Sequence, residues 1–226
     1  MIEVTLSRPW LRARLPAPMR VLSWAPHGGG WRTTGLVLWR EVRNADLVPG
    51  FDAEGWLAGE MPDPGAVGML TSRDIGSWDR AQASVEGASA DCVATLGLSN
   101  AEAVGRRLPW HGADYGTINL LVATDVALTE TAQLEAMSIA VQARTAALMD
   151  ADLHLASGRA TGTGTDCVAL ACPPGDQRYA GLHTAVGEAI GAAVREVIGR
   201  AATDWRRWRD GARGERAGQA GPAPQP

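Results

Sequence analysis

Six short apolar runs and two much longer stretches with helical spacing limit what this chain can fold into. The short runs cover residues 20–24, 35–39, 66–70, 91–97, 118–122 and 166–171, each bounded by turn residues. Runs of about five to seven residues with β-branched content are strand-sized and too short for independent helices. Several are apolar at successive rather than alternate positions, which suits a sheet covered by helices. Residues 129–150 place Leu134, Met137, Val141, Thr145 and Leu148 at three- and four-residue steps. Thr129 is the expected N-cap, with Glu130 near the positive end of the helix dipole. Residues 179–202 repeat the pattern with Leu182, Val186, Ile190, Val194 and Val197. Gly187 and Gly191 cost this helix roughly 1 kcal/mol each in propensity, which close packing against the sheet would offset. The expected class is α/β or α+β: a single domain whose sheet is covered by amphipathic helices, with the strand order open.

Residues 1–204 are expected to form that domain, a length sufficient for one buried core. Residues 205–226 turn arginine-rich and then Gly/Pro/Gln-rich, which predicts a disordered tail. All 21 basic residues are arginine, so lysine Schiff-base chemistry and a P-loop lysine are excluded. The tail holds five of these arginines, leaving an acidic body that argues against a nucleic-acid partner. Cys92, Cys167 and Cys172 sit in or beside apolar runs without CxxC spacing, the pattern of buried free thiols in a reducing compartment. No stretch nears the ~20 apolar residues of a membrane span, and the N-terminus lacks the pattern of a signal peptide. These features predict a cytoplasmic protein with no membrane partner. Nine of the twelve aromatic residues are tryptophan, which packing in the core and at its rim accounts for in the main. A flat ligand is a second use for some of them.

Polar clusters stand where the strands should end: residues 42–47, 70–74, 97–102, 116–119 and 161–166. Loops at strand ends are the usual ligand site of a helix-covered sheet. Ser99, three residues before Glu102, also fits a capping box at the start of a helix. The Thr-Gly-Thr-Gly-Thr-Asp run at 161–166 gathers backbone N–H groups and hydroxyls, as an anion nest or oxyanion hole requires, but it is no nucleotide fingerprint. Among the histidines, His183 opens the last helix, whereas His27, His111 and His154 are expected to face solvent. His183 and Glu188 are five apart, about 140° around a helix, so they are not a zinc-helix pair and no metal site is expected.

Taken in order, Trp-Arg-Glu-Val-Arg-Asn-Ala-Asp-Leu (39–47), Val-Gly-Met-Leu-Thr-Ser-Arg-Asp (67–74), Gly-Leu-Ser-Asn-Ala (97–101), Gly-Thr-Ile-Asn-Leu (116–120), residues 161–166 and His-Thr-Ala-Val-Gly-Glu (183–188) closely resemble the adenosylcobinamide amidohydrolases of corrinoid salvage. The likeness spans about residues 21–199. It implies hydrolysis of the amide joining aminopropanol to a corrin propionate, on adenosylcobinamide or an adenosylated pseudocobalamin. The product would be adenosylcobyric acid. It implies a corrinoid as substrate and no required cofactor, and it leaves the oligomeric state open, a homodimer included. The alternative is a non-catalytic corrinoid carrier or sensor, and a general amidase is a second rival. Amide hydrolysis needs a nucleophile, an oxyanion site and a proton for the amine. His183, Asp166 and Glu188 are the expected catalytic set, gathered where the 161–166 loop meets the last helix. Asn44, Ser72, Arg73, Asp74, Asn100, Thr117, Asn119, Thr163 and Thr165 are the expected substrate contacts. Water, Thr163, Thr165, Ser72 and Cys167 all stay open as the nucleophile.

Overall fold

The computed structural model describes residues 1–47, 50–109 and 115–219, with side chains as far as residue 211. The strands are β1 (Glu3–Ser7), β2 (Trp10–Ser23), β3 (Gly30–Glu41), β4 (Val67–Thr71), β5 (Asp79–Val85), β6 (Ala88–Leu96), β7 (Ala101–Glu102), β8 (Ile118–Thr124), β9 (His154–Leu155), β10 (Gly158–Arg159), β11 (Gly162–Thr163) and β12 (Cys167–Cys172). The helices are α1 (Ala53–Glu60), α2 (Glu130–Asp150) and α3 (Ala185–Gln219). One mixed sheet runs β4-β3-β2-β12-β8-β6-β5, with β1 paired to β2. The β3–β4 and β12–β8 pairs are parallel, and the other neighbours are antiparallel. This is the expected mixed α/β class. Among the described residues no helix is long and apolar enough to cross a membrane.

Successive strand residues face opposite sides of the sheet, so each strand feeds two cores. Val168 and Leu170 of β12, with Leu120 and Val122 of β8, pack under α2 and α3. Cys167, Ala169 and Ala171 meet Val21, Val37, Trp39, Met69 and Leu121 on the other side. Among the described residues no α-helix contributes to that second core, which takes Ile75 from a 3-10 turn; the sheet curls to close it. Three strands lie between β4 and β8, a span of ~19 Å in a flat sheet. Yet Asn119 Nδ2 on β8 donates to the Leu70 carbonyl on β4 at 2.6 Å. The ladder of β2 with β3 shifts register between Arg14 and Met19, where Pro16 and Pro18 supply no N–H, and bulges of this kind bend a sheet.

Helix α2 begins where expected, with Thr129 accepting from Ala132 N at 3.1 Å. Helix α3 begins later than expected, after a turn in which Thr184 accepts from Gly187 N at 3.0 Å. Its glycines serve other neighbours than the sheet. A Cβ on Gly187 would lie 2.2 Å from Gly181 O in the preceding turn, and Gly191 lies against Ile139 of α2. No helix follows Ser99; the short strand β7 stands there instead, paired with β11. The three cysteines are buried and free, as expected. His154 is exposed, but His27 is half-buried, its Nε2 3.2 Å from the Pro64 carbonyl. His111 lies outside the described residues.

The boundary expected between residues 204 and 205 falls inside α3, which runs on to Gln219. The step Ile198, Ala202, Trp205 continues the apolar stripe, and Trp205 is only 4% exposed. Trp208, one turn on, lies over the Arg73 guanidinium at 4.5 Å. Residues 220–226 are outside the described region. Trp205→Ala is therefore expected to cost about 3–5 kcal/mol, the range for truncating a buried aromatic ring. Ending the chain after Arg209 should leave the unfolding midpoint within a few degrees. Denaturant and thermal unfolding of both variants check this.

Candidate active site

A cavity of about 490 Å³ opens at one end of the sheet. It lies where β4 ends and β8 and β12 begin, the place that the curl brings together. Its walls are largely apolar: Pro26, Val42, Leu47, Phe51, Leu70 and Cys167. Thr71, Ser72, Tyr115, Thr117, Asn119 and Thr165 supply the polar groups. A mostly apolar concave site with a few convergent polar groups is the usual form of a small-molecule site.

The wall around Thr165 is built on Asp166. Its carboxylate, with 8% side-chain exposure, pairs with Arg144 of α2. It also accepts from Thr163 Oγ1 at 2.5 Å, Thr163 N at 3.1 Å and Ile118 N at 3.2 Å. Burial pushes this carboxyl above its usual range, opposed by Arg144 and these bonds. The 161–166 loop is therefore not an open oxyanion hole: two of its donors are turned onto its own aspartate. Gly162 is required here, since a Cβ would lie 2.6 Å from Asp166 Oδ2. Thr117 Oγ1 donates to Thr165 O at 2.8 Å, and Thr165 Oγ1 to Gly116 O at 3.0 Å, tying the loop to the start of β8.

Four expected contacts, Ser72, Thr117, Asn119 and Thr165, line the cavity. Asn44 is exposed in a single 3-10 turn between the lining residues Val42 and Leu47. Asp74 is exposed and paired with Arg8, which holds its carboxyl below the usual range. Arg73 turns to Trp208 instead of the cavity. Thr163 spends its hydroxyl on Asp166. Asn100 packs against Gly116, its buried Oδ1 unpartnered among the described residues.

The expected joining of Asp166 with His183 and Glu188 does not occur. Asp166 precedes β12, and His183 follows its far end. Arg144, which reaches Asp166, is nine residues along α2 from Glu135, whose carboxylate accepts from Ala180 N at 2.7 Å. Nine helical residues span ~14 Å, so the two ends are far apart. His183 and Glu188 are exposed. Sequence reasoning also missed Arg144 and the apolar walls. Arg144 left one trace: it shares a helix face with the buried Gln133, Met137 and Ala140, where an unpaired cation would not be tolerated. Among the described residues no three His, Cys, Asp or Glu side chains group as metal ligands.

The lining hydroxyls differ in what they have free. Thr71 Oγ1 accepts from Arg73 N at 3.1 Å, and Tyr115 donates to Leu47 O at 2.5 Å. Thr117 and Thr165 are engaged as described, whereas Ser72 makes no side-chain hydrogen bond among the described residues.

A family model described as adenosylcobinamide amidohydrolase matches residues 2–210. An adenosylcobinamide amidohydrolase of Halobacterium salinarum is 40% identical over 122 residues, which is 50% of this chain. The match spans half the length of that curated relative.

Cys167 gives the cavity a chemical check. Burial pushes its thiol up to about 12. At pH 8 the thiolate fraction is then on the order of 1 in 10⁴, and the thiolate is the reactive form. Cys167 should resist iodoacetamide at pH 8 despite lining an open cavity, with labelling rising steeply only as the pH approaches 12. Mass-spectrometric mapping reads this, and fast labelling at pH 8 would contradict it.

Proposed function

Since the chain belongs to the adenosylcobinamide amidohydrolase family, we propose that it hydrolyses the amide between aminopropanol and a corrin propionate of adenosylcobinamide, releasing adenosylcobyric acid and 1-amino-2-propanol. Adenosylated pseudocobalamin, which carries the same amide, is a second substrate of this reading. The shape of the cavity carries the proposal. A volume of about 490 Å³ is too small for an adenosylated corrin but suits one side arm. The arm enters with its amide, and the macrocycle stays outside.

Within the cavity, Ser72 is the residue that meets the scissile amide, because among the described residues nothing takes up its hydroxyl. Thr163 and Thr165 have committed theirs, and Cys167 is held as a thiol, so Ser72 or a water beside it attacks the amide carbon. The C–N bond breaks, the proton given up by the nucleophile passes to the departing amine, and where Ser72 is the nucleophile a water then cleaves the resulting ester to the free acid. Asn119 contributes through position: its Nδ2 donates to Leu70 O at 2.6 Å, and its Oδ1 lies 3.2 Å from Thr117 Oγ1, whose one proton goes to the nearer Thr165 O. A carboxamide held in this way keeps one N–H direction constant, as stabilising a developing oxyanion demands. Asp166 acts by holding the wall, not by moving protons. The reaction as proposed uses no resident metal or other cofactor.

One observation favours the carrier reading. Apart from Tyr115 and Cys167, the described lining residues carry no side chain that titrates. Chromatography of the corrinoid after incubation separates the two: hydrolysis yields adenosylcobyric acid, whereas a carrier returns its ligand unchanged. If hydrolysis occurs, Ser72→Ala should lower kcat/KM by on the order of 10²-fold or more. His183→Ala should stay within about twofold of wild type, the scatter expected of a surface substitution. Equal loss in both variants would move the site to the other end of β12.

A further inference from the structure

Trp24 stands at the same sheet edge as the cavity, one residue beyond the end of β2. It is 48% exposed, a large apolar surface for a folded chain to leave in water. It is also fixed. Its indole N–H donates to the Asp166 main-chain carbonyl at 2.7 Å, and Asp166 is itself locked by Arg144 and Thr163. Both chain neighbours of Asp166, Thr165 and Cys167, line the cavity, as does Pro26, two residues after Trp24. An exposed aromatic ring held rigid beside an opening loses little freedom when a ligand covers it. Such residues contribute disproportionately to binding.

We propose that Trp24 is a specificity-determining contact outside the cavity, a fixed aromatic face for the planar macrocycle whose side arm enters between Ser72 and Thr165. The inference rests on the corrinoid reading and adds a second binding surface to it. A small amide without a ring system fills the cavity but does not reach Trp24. The same ring therefore sets a preference for substrates that carry a broad apolar plane. Trp31 supplies the contrast: it is 43% exposed, but Arg20 lies over its ring at 5.6 Å and its neighbours do not line the cavity.

The test is steady-state hydrolysis of adenosylcobinamide by wild type, Trp24→Ala, Trp24→Phe and Trp31→Ala. Loss of the ring should raise KM about 5- to 10-fold, the scale of one aromatic contact, with kcat within about twofold. Trp24→Phe keeps a ring but not the N–H, so it should recover most of the loss. Trp31→Ala should match wild type. An unchanged KM in Trp24→Ala overturns the proposal, as does a Phe variant no better than the Ala variant, since the bond to Asp166 would then be the whole effect. No product from wild type would instead overturn the amidohydrolase reading itself, and that outcome is distinct from the others.

Discussion

The buried pair of Asp166 and Arg144 holds the working end of this fold in place. A carboxylate this deep is tolerated only when its lone pairs are met, and here Arg144, Thr163 and Ile118 N meet them. Each donor belongs to a different piece of structure: α2, the 162–166 loop and the start of β8. The main-chain carbonyl of the same residue holds Trp24 at the end of β2. Removing one partner of a buried pair leaves an uncompensated charge, at a cost of roughly 3–5 kcal/mol. Such a junction is a poor proton donor or acceptor but a good anchor. What it anchors is the wall formed by Thr165 and Cys167.

The curl of the sheet supplies the opposite wall. In a flat sheet β4 would stand far from β8, and Ser72 would have nothing to face. Bending brings Leu70 O to Asn119 and closes the second core around Trp39 and Met69. The cavity is the space left where that closure ends. The polar groups there descend from strand ends, whereas the apolar walls come from the segments before α1, notably Leu47 and Phe51. The fold thus separates two tasks, with hydrogen bonds fixing one side and apolar side chains excluding water from the other.

Much of this was legible in the sequence where the signal is local. Thr129 announces α2, and the runs at 118–122 and 166–171 fall on β8 and β12. Ser72, Thr117, Asn119 and Thr165 were visible because polar residues beside apolar runs mark strand termini, although only Ser72 follows its strand and the other three stand where β8 and β12 begin, not where they were expected to end. Long-range pairings were not. Arg144 and Asp166 are 22 positions apart, and no local pattern links a helix arginine to a strand-end aspartate. His183 was expected to be catalytic because an imidazole moves protons near neutral pH and the last helix was expected to meet the 161–166 loop, but the connection after β12 carries it towards Glu135, at the other end of α2 from Arg144. The arginine-rich composition beyond residue 204 hid Trp205, although its spacing from Ile198 and Ala202 continued the helix. Leu11, Ala13 and Leu15 alternate with Arg12 and Arg14, the period of a half-buried strand, yet the two prolines that follow masked that half of β2.

The central claim is that the curl and the Asp166 anchor place the substrate amide at the β4–β8–β12 edge. A crystal structure of Ser72→Ala soaked with adenosylcobinamide tests it most directly. The account predicts the aminopropanol arm inside the cavity, with its amide within hydrogen-bonding distance of position 72 or Asn119. Corrinoid seated instead beside His183 and Glu188, with the cavity empty, would contradict it.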